Sequence, residues 1–377
     1  MPSNLKLKNV MFISSIAKNK WGGVEKWMFE VGNGLSDNGY KVIYCGRPGS
    51  KFIEMSNIKS FKYYTVKFTS DFNPFVSYKL RNIATKEKID LICVGREKDL
   101  RLLSLAYIIG QRPTVIMRKG LALIKNRWRF KIVYEHFVDL IITPSSALKN
   151  HLLGLLPWLN GDRIHVINNG VAIPDKIEKG LFRKELSISD KTFLAVIIGR
   201  LSDQKGQNFF LKALSLVKDE LNNTQVVIIG DGEEENELRN EVKNLGLSEI
   251  VKFISHRWDV PNILTDADLL VHPSLYEGMP NLILEALAQG TPVLATDIPG
   301  VDEIAKEGDD VIELVPLNDV NALAKKFIEL KSDLNKRESL SVRGKEHAEN
   351  NFSLDKMLRR TEEAFIETYN QRSSVLK

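Results

Sequence analysis

The sequence predicts an α/β protein built from two doubly wound parallel-sheet domains, and three observations carry that prediction. Short β-branched runs alternate with helical patterns along all 377 residues, the rhythm of repeated βα units on parallel sheets with helices on both faces. The runs fall into two sets of about six. A chain of this length also exceeds one ordinary core, so two domains of roughly 150 to 200 residues are expected.

In the first half, strands are predicted at Val10–Ser14, Lys41–Cys45, Asp90–Val94, Thr114–Met117, Asp139–Thr143 and Ile164–Ile167. In the second half they are predicted at Phe193–Gly199, Gln225–Gly230, Val251–Ile254, Asp268–His272, Pro292–Thr296 and Asp310–Leu314. Trp21-Gly22-Gly23 opens a helix over Val24–Leu35, and Gly230-Asp231-Gly232-Glu233 leads into one over Glu234–Asn244. Between Asn169-Gly170 and Asp190, Ile173-Pro174-Asp175-Lys176 and a short charged helix break the apolar rhythm. The expected domains are therefore residues 1–175 and 176–353. Helices follow at Val320–Lys331, Lys336–Asn350 and Leu354–Tyr369, with Ser353 placed to cap the last. That terminal segment, 354–377, is expected to pack back across the first domain.

With 43% hydrophobic and 27% charged residues, the composition is that of a soluble globular protein. No stretch approaches the roughly 18 to 20 apolar residues of a membrane span, and Met1-Pro-Ser-Asn-Leu-Lys6 lacks a secretory apolar core. The expectation is a protein on the cytoplasmic side. Cys45 and Cys93 lie in apolar runs, as small core hydrophobes do, so neither a disulfide nor thiol chemistry is expected. The six histidines are scattered without the spacing of a zinc site, so no metal is expected. A net charge of +5 fits an anionic substrate or an anionic membrane surface, and equally an ordinary soluble enzyme.

The stretch richest in chemistry is Glu277-Gly-Met-Pro-Asn-Leu-Ile-Leu-Glu285, two carboxylates bracketing a Gly-Pro turn and the start of an apolar helix. Leu282, Ile283, Leu284, Ala286, Leu287 and Ala288 surround Glu285 with the composition of a buried helix. A carboxylate left unpaired there costs several kcal/mol or protonates, so Glu285 needs a ligand, a water or a basic partner. Gly278 and Pro280 let backbone approach something closely, and the amides of the first helical turn favour an anion.

In an open parallel sheet, ligands bind beyond the carboxyl ends of the strands, and three more clusters fall there. Gly199-Arg200-Leu-Ser-Asp-Gln-Lys205-Gly206 sets two cations between a strand and a helix: a bidentate fork and a mobile point charge suited to a diphosphate, or two ordinary surface cations. Gly230-Asp231-Gly232 either lets backbone approach a ligand or is a plain βα turn. Ser255-His256-Arg257-Trp258-Asp259 either offers backbone to a nucleobase edge or caps a helix. Gly22-Gly23 lacks the G-x-G-x-x-G spacing of a dinucleotide fingerprint, which counts against a nicotinamide or flavin enzyme.

The order of these pieces resembles the retaining glycosyltransferases of family 4. The resemblance rests on Gly199-Arg200-Leu201 with Lys205-Gly206, Gly230-Asp231-Gly232, Ser255-His256-Arg257 before Asp259-Val260, and Pro273-Ser274 before Glu277-Gly278. It continues through Asn281-Leu282, Glu285-Ala286 and Gly290-Thr-Pro292-Val-Leu-Ala-Thr296, and more loosely through Gly22-Gly23 and Ile167-Asn-Asn-Gly-Val171. It implies the GT-B architecture, two Rossmann-like domains facing a deep cleft, with the acceptor on the first domain and a nucleotide diphosphate sugar on the second. It further implies that Arg200 and Lys205 neutralise the donor's diphosphate, while Gly278, Met279, Pro280, Asn281 and Leu282 hold sugar and phosphates. Glu285 would accept the ribose hydroxyls, Glu277 would face the transferred sugar, the backbone of His256-Arg257 would read the base, and Gly22-Gly23 would close over the diphosphate. A carboxylate suits a vicinal diol because its two oxygens can accept two hydroxyl protons.

Transfer of a hexose or N-acetylhexosamine from a UDP-sugar is expected on family frequency, with GDP-mannose next. The expected setting is cell-envelope polysaccharide or lipopolysaccharide synthesis, with no cofactor and no metal, since Arg and Lys supply the charge. One departure stands out. Where many relatives carry a histidine facing the donor sugar, this chain reads Val115-Ile-Met-Arg118-Lys119-Gly120, so Arg118 or Lys119 either presents a cation to donor or acceptor or belongs to a surface loop. Beyond it, Lys119, Lys125, Arg127, Arg129 and Lys131 interleave with Leu121, Leu123, Ile124, Trp128 and Phe130: either a basic, aromatic surface on anionic lipid at the inner face of the cytoplasmic membrane, or an amphipathic helix packed on the sheet. No nucleic-acid partner is expected, and oligomeric state is not legible. The competing readings are an epimerase of the same architecture, for which no convergent acid and base appear beyond Glu277, a phosphorylase, which would usually be far longer and carry a cofactor lysine, and a non-catalytic nucleotide-sugar-binding partner of an envelope assembly.

Overall fold

Every strand pairing in the two sheets is parallel, as βα repeats with helical crossovers require. The computed structural model describes residues 7–18, 20–121, 124, 126–174, 178–305 and 310–375. It divides into a first unit, residues up to Asn169 together with those from Lys356 onward, and a second unit, Gly170–Asp355. The division falls a few residues before the boundary expected at 175/176, which lies outside the described residues.

The first unit contains β1 (Asn9–Ser14), β2 (Lys41–Gly46), β3 (Lys62–Thr65), β4 (Leu91–Val94), β5 (Thr114–Arg118), β6 (Leu140–Thr143) and β7 (Ile164–Val166). They form one seven-stranded sheet in the order β3-β2-β1-β4-β5-β6-β7. The second unit contains β8 (Phe193–Ile198), β9 (Thr224–Ile229), β10 (Val251–Ile254), β11 (Leu269–His272), β12 (Val293–Asp297) and β13 (Glu313–Pro316), in the order β10-β9-β8-β11-β12-β13. Both orders reverse once, between β1 and β4 in one sheet and between β8 and β11 in the other. Such reversals open the crevice in which ligands of doubly wound folds sit.

The sheets are buried on both faces, which is why their strands read as continuous apolar runs. Along β8, Leu194 and Val196 join one core cluster while Phe193, Ala195 and Ile197 join the other, the period of two expected of a strand. Two expectations need correction. β3 was not expected: Lys-Tyr-Tyr-Thr is a half-exposed edge strand without an apolar run. The last strand begins at Glu313 rather than Asp310, because Asp310 sits in a turn at φ +53° and Val311 and Ile312 reach the core from irregular backbone.

The helix Leu354–Val375 passes from the second unit into the first. Within the first unit, Arg372 donates to Asp139 Oδ1 at 3.0 Å, Arg360 to the Val166 carbonyl at 3.1 Å, and Asn38 to Glu362 at 2.6 Å. Ser353, just before this helix, lies in a parallel bridge with Val171. Cys45 and Cys93 are buried free thiols. Among the described residues no helix is long and apolar enough to cross a membrane.

Candidate active site

In the second unit the loops after β8 and β11 meet at the strand-order reversal. Gly206, in the left-handed region at φ +65°, has no room for a side chain, since a Cβ there would stand 1.9 Å from the Pro273 carbonyl oxygen. The Gln204 carbonyl accepts from Leu275 N at 2.8 Å, and its side-chain amide donates to the Tyr276 carbonyl at 3.0 Å. This zipper brings Lys205 Nζ to 2.6 Å from Glu277 Oε1. Burial by itself raises the Glu277 carboxyl, but Lys205 and His272 overcome it and hold its pKa down at about 2. The carboxylate is therefore charged at any physiological pH.

His272 and Gln207 complete this site, and neither was singled out from the sequence. His272 ends β11 and is buried, with Nε2 3.5 Å from Glu277 Oε1 and 3.1 Å from Ser274 Oγ. Among scattered histidines the sign of it was its place, at a strand end in the same loop as Glu277. Gln207, buried at the start of the helix Gln207–Leu216, donates to the Arg200 carbonyl at 2.9 Å, and its Oε1 has no hydrogen-bond partner among the described residues. Arg200 itself is 53% exposed and makes a long contact of 3.3 Å with exposed Glu233, a weak pairing that leaves its guanidinium fork open to an anion.

The helix Asn281–Gln289 starts after Pro280 with no side-chain cap. Its first-turn amides carry the positive end of the helix dipole toward the same loops, and Asn281 Oδ1 is buried without a hydrogen-bond partner among the described residues. Gly278, Met279 and Pro280 are buried beneath, and Leu282 is half-buried. Glu285 is half-buried rather than buried, because Asn281, Glu285 and Gln289, four residues apart, form a polar strip on an otherwise apolar helix. It stands one turn, ~6 Å, along the axis from the helix start.

A Cβ on Gly230 or Gly232 would fall 1.9 or 2.0 Å from the carbonyl oxygens of Gly199 or Leu201, so both glycines make room for the backbone of the adjacent loop. Asp231 Oδ1 accepts from His256 N at 3.2 Å and ties the turn to the loop after β10. The Arg257 side chain is committed to Asp259, at 2.7 Å, and to Glu185, at 2.9 Å, so a ligand at this residue would meet its backbone rather than its guanidinium. The rings of His256 and Trp258 meet edge to face at 4.4 Å.

In the first unit, Gly22 ends the loop that follows β1 and directly precedes the helix Gly23–Asp37. Beneath it, buried Glu25 accepts from Ser14 Oγ at 2.9 Å and from Arg96 at 3.3 Å. Arg118 and Lys119 are not surface-loop cations. Both are buried: Arg118 lies 4.7 Å over the Trp27 ring and donates to Ile167 O and Asn169 Oδ1, while Lys119 pairs with Glu97. Burial pushes the Arg118 pKa down to about 9. Of the segment beyond, Leu123 and Lys125 lie outside the described residues, Leu121 and Ile124 are half-buried, and Arg127, Arg129 and Lys131 are exposed. The helix Trp128–Phe137 packs Phe130 inward while Trp128 stays 72% exposed.

Comparison with known proteins agrees with this architecture. The family model described as "Glycosyl transferases group 1" matches residues 178–347, and "Glycosyltransferase Family 4" matches residues 21–173. An Escherichia coli UDP-Gal:alpha-D-GlcNAc-diphosphoundecaprenol alpha-1,3-galactosyltransferase is 31% identical over 269 residues, 67% of this chain and 69% of its own. The lipopolysaccharide core biosynthesis glycosyltransferase LpsE of Rhizobium meliloti is 25% identical over 89% of this chain and 93% of its own. In structure the chain is similar to Anabaena Alr3699/HepE, solved in complex with UDP and glucose, with a TM-score of 0.82 at 20% identity over 95% of this chain and 99% of that one. The chain belongs to the family 4 glycosyltransferases and has their GT-B fold of two Rossmann-like domains.

Proposed function

We propose that this glycosyltransferase moves a hexose or N-acetylhexosamine from a UDP-sugar, with retention and without a metal, to a glycan or glycolipid acceptor in envelope polysaccharide or lipopolysaccharide synthesis. The observation that carries the assignment is the 2.6 Å contact of Lys205 with Glu277 at the reversal of strand order, which sets a cation for phosphate beside a carboxylate held charged at physiological pH. The E. coli and Rhizobium relatives, named for a UDP-galactose donor and for lipopolysaccharide core synthesis, support the donor and the setting.

Breaking the bond between anomeric carbon and diphosphate builds negative charge on the departing oxygen and positive charge on the sugar. Lys205 keeps two further N–H donors for phosphate after Glu277 takes one. Arg200 and the uncapped helix start complete the positive surround, and removal of one such donor costs about 3 to 4 kcal/mol of barrier by analogy with oxyanion holes. Glu277 stabilises the oxocarbenium-like sugar, Glu285 accepts the ribose hydroxyls, and the backbone of residues 256–257 meets the base. The leaving phosphate takes the acceptor's proton on the same face, so no separate base is required. Because Arg200, Lys205 and the helix start supply the positive charge, activity should persist in EDTA.

Exposed Trp128, Arg127, Arg129 and Lys131 support a peripheral contact with anionic lipid on the cytoplasmic side, where a lipid-linked acceptor would be met. Sedimentation with phosphatidylglycerol vesicles tests it: binding weakened by Trp128→Ala supports the contact, and no binding rejects it. The donor assignment is tested by UDP release across a panel of nucleotide sugars. Release from a UDP-sugar by the wild type and its loss in Arg200→Ala and Glu277→Ala are expected; wild-type turnover in either folded variant overturns the roles assigned.

A further inference from the structure

The carboxylate of Glu277 is held unevenly. Lys205 Nζ, at 2.6 Å, and His272 Nε2, at 3.5 Å, both address Oε1, whereas Oε2 receives no hydrogen bond among the described residues. His272 is only 2% exposed, so it is shielded from solvent and from any ligand lying over the loop. Its ring is fixed by more than Glu277. Ser274 Oγ stands 3.1 Å from the same Nε2, and the Ser274 carbonyl accepts from buried Thr296 Oγ1 on β12. The chain from Thr296 through Ser274 and His272 to Glu277 thus ties the carboxylate to two adjacent strands of the sheet.

The chemistry of the pair favours one tautomer. Burial keeps the imidazole neutral, as does the nearby Lys205 charge, against the pull of Glu277. A neutral ring with its lone pair at Nε2 would face a carboxylate oxygen lone pair to lone pair. The proton therefore belongs at Nε2, shared between Ser274 Oγ and Glu277 Oε1. Lys205 alone would be an unsteady anchor, because the same flexible ammonium shares its N–H donors with the diphosphate when donor binds.

We propose that His272 is a positioning residue of the transfer reaction: as an Nε2–H donor to Oε1 it holds Glu277 in place when Lys205 engages phosphate, and so keeps Oε2 aimed at the anomeric carbon of the donor. The inference rests on the reading of Glu277 as the sugar-facing carboxylate. It assigns His272 no contact with donor or acceptor, so its loss acts on turnover and not on donor affinity.

The test compares His272→Gln, whose amide nitrogen reaches about as far as Nε2, with His272→Asn, which falls short, alongside wild type and Glu277→Ala. UDP release is measured from the UDP-sugar the wild type uses. In the Asn variant kcat should fall about 10 to 100-fold, the range for a reacting group displaced by about 1 Å, with donor KM within about threefold. The Gln variant should recover most of the loss. Thermal melting of all four proteins confirms folding. If Glu277→Ala is inactive but both His272 variants turn over like wild type, or if Gln and Asn are equally impaired, the positioning role is wrong while the site assignment stands. If Glu277→Ala keeps full activity, the assignment of Glu277 fails and this inference with it.

Discussion

Gln207 reaches back from the first turn of its helix to donate a hydrogen bond of 2.9 Å to the carbonyl of Arg200. A buried side chain thereby sets the path of the loop that carries an exposed cation. Replacing Gln207 with Leu leaves the carbonyl without its donor and should destabilise the protein by about 1 to 3 kcal/mol. Donor KM should rise severalfold as Arg200 loses its register. Urea unfolding and UDP-release kinetics check both; an unchanged KM in a folded variant shows that Arg200 is positioned by something else.

Lys205 is the counter-charge that keeps Glu277 ionised. Removing it as Lys205→Met strands a buried carboxylate and should cost about 2 to 4 kcal/mol, somewhat less than for a fully buried pair, since Lys205 retains 24% exposure. With a folded-state pKa near 2 against an ordinary value of 4.5, the stability Glu277 contributes is fully present above about pH 4.5 and is lost as pH falls toward 2. The acid limb of the wild-type unfolding profile should flatten in Glu277→Gln. An identical limb in both proteins shows that the pair carries no linkage.

Asp99 has the opposite sign. It is fully buried, accepts from Ser15 N at 3.1 Å through Oδ2, and has no hydrogen-bond partner on Oδ1 among the described residues. Burial pushes its pKa up to about 7, from an ordinary 3.8. Between those values the folded chain holds a proton that the unfolded chain has released, so this group's contribution to stability falls as pH rises from about 4 to 7 and is constant above. Asp99→Asn keeps an acceptor for Ser15 without the charge. Its stability relative to wild type should therefore improve steadily across that window, as read by urea titrations at several pH values. A pH-independent difference would mean that Asp99 ionises normally.

Arg118 is held by Trp27, Ile167 and Asn169, so its first duty is to the core of its own unit. Arg118→Ala should lower stability by about 2 to 4 kcal/mol. Lysine should not rescue it, because an ammonium can neither stack flat on the indole nor offer a planar fork. Differential scanning calorimetry decides: a melting temperature unchanged in Arg118→Ala, with donor or acceptor affinity lost, would return Arg118 to a ligand-contact role.

Much of this architecture was legible because both sheets are buried on each face, so that strands such as Phe193–Ile198 announce themselves as apolar runs. The edge strand β3 was not, since an edge that packs little needs no apolar signature. The loops carrying Arg200, Lys205 and Glu277 could be picked out because strand ends are where such folds bind. What the sequence could not show is pairing across 72 residues: that Lys205 would land on Glu277, that Gln207 would hold Arg200, or that Arg118 and Lys119 would turn inward. Local pattern encodes the elements, whereas the partners of a buried charge depend on which loops the strand order makes neighbours.

The most direct test of the central claim is the fate of a UDP-sugar incubated with the purified protein, followed by proton NMR of the released sugar or glycoside. The expected result is UDP release from one UDP-hexose or UDP-N-acetylhexosamine, with the α configuration retained in the first-formed product, undiminished by EDTA and abolished in Glu277→Ala. A first-formed product of inverted configuration, or full release in Glu277→Ala, contradicts it.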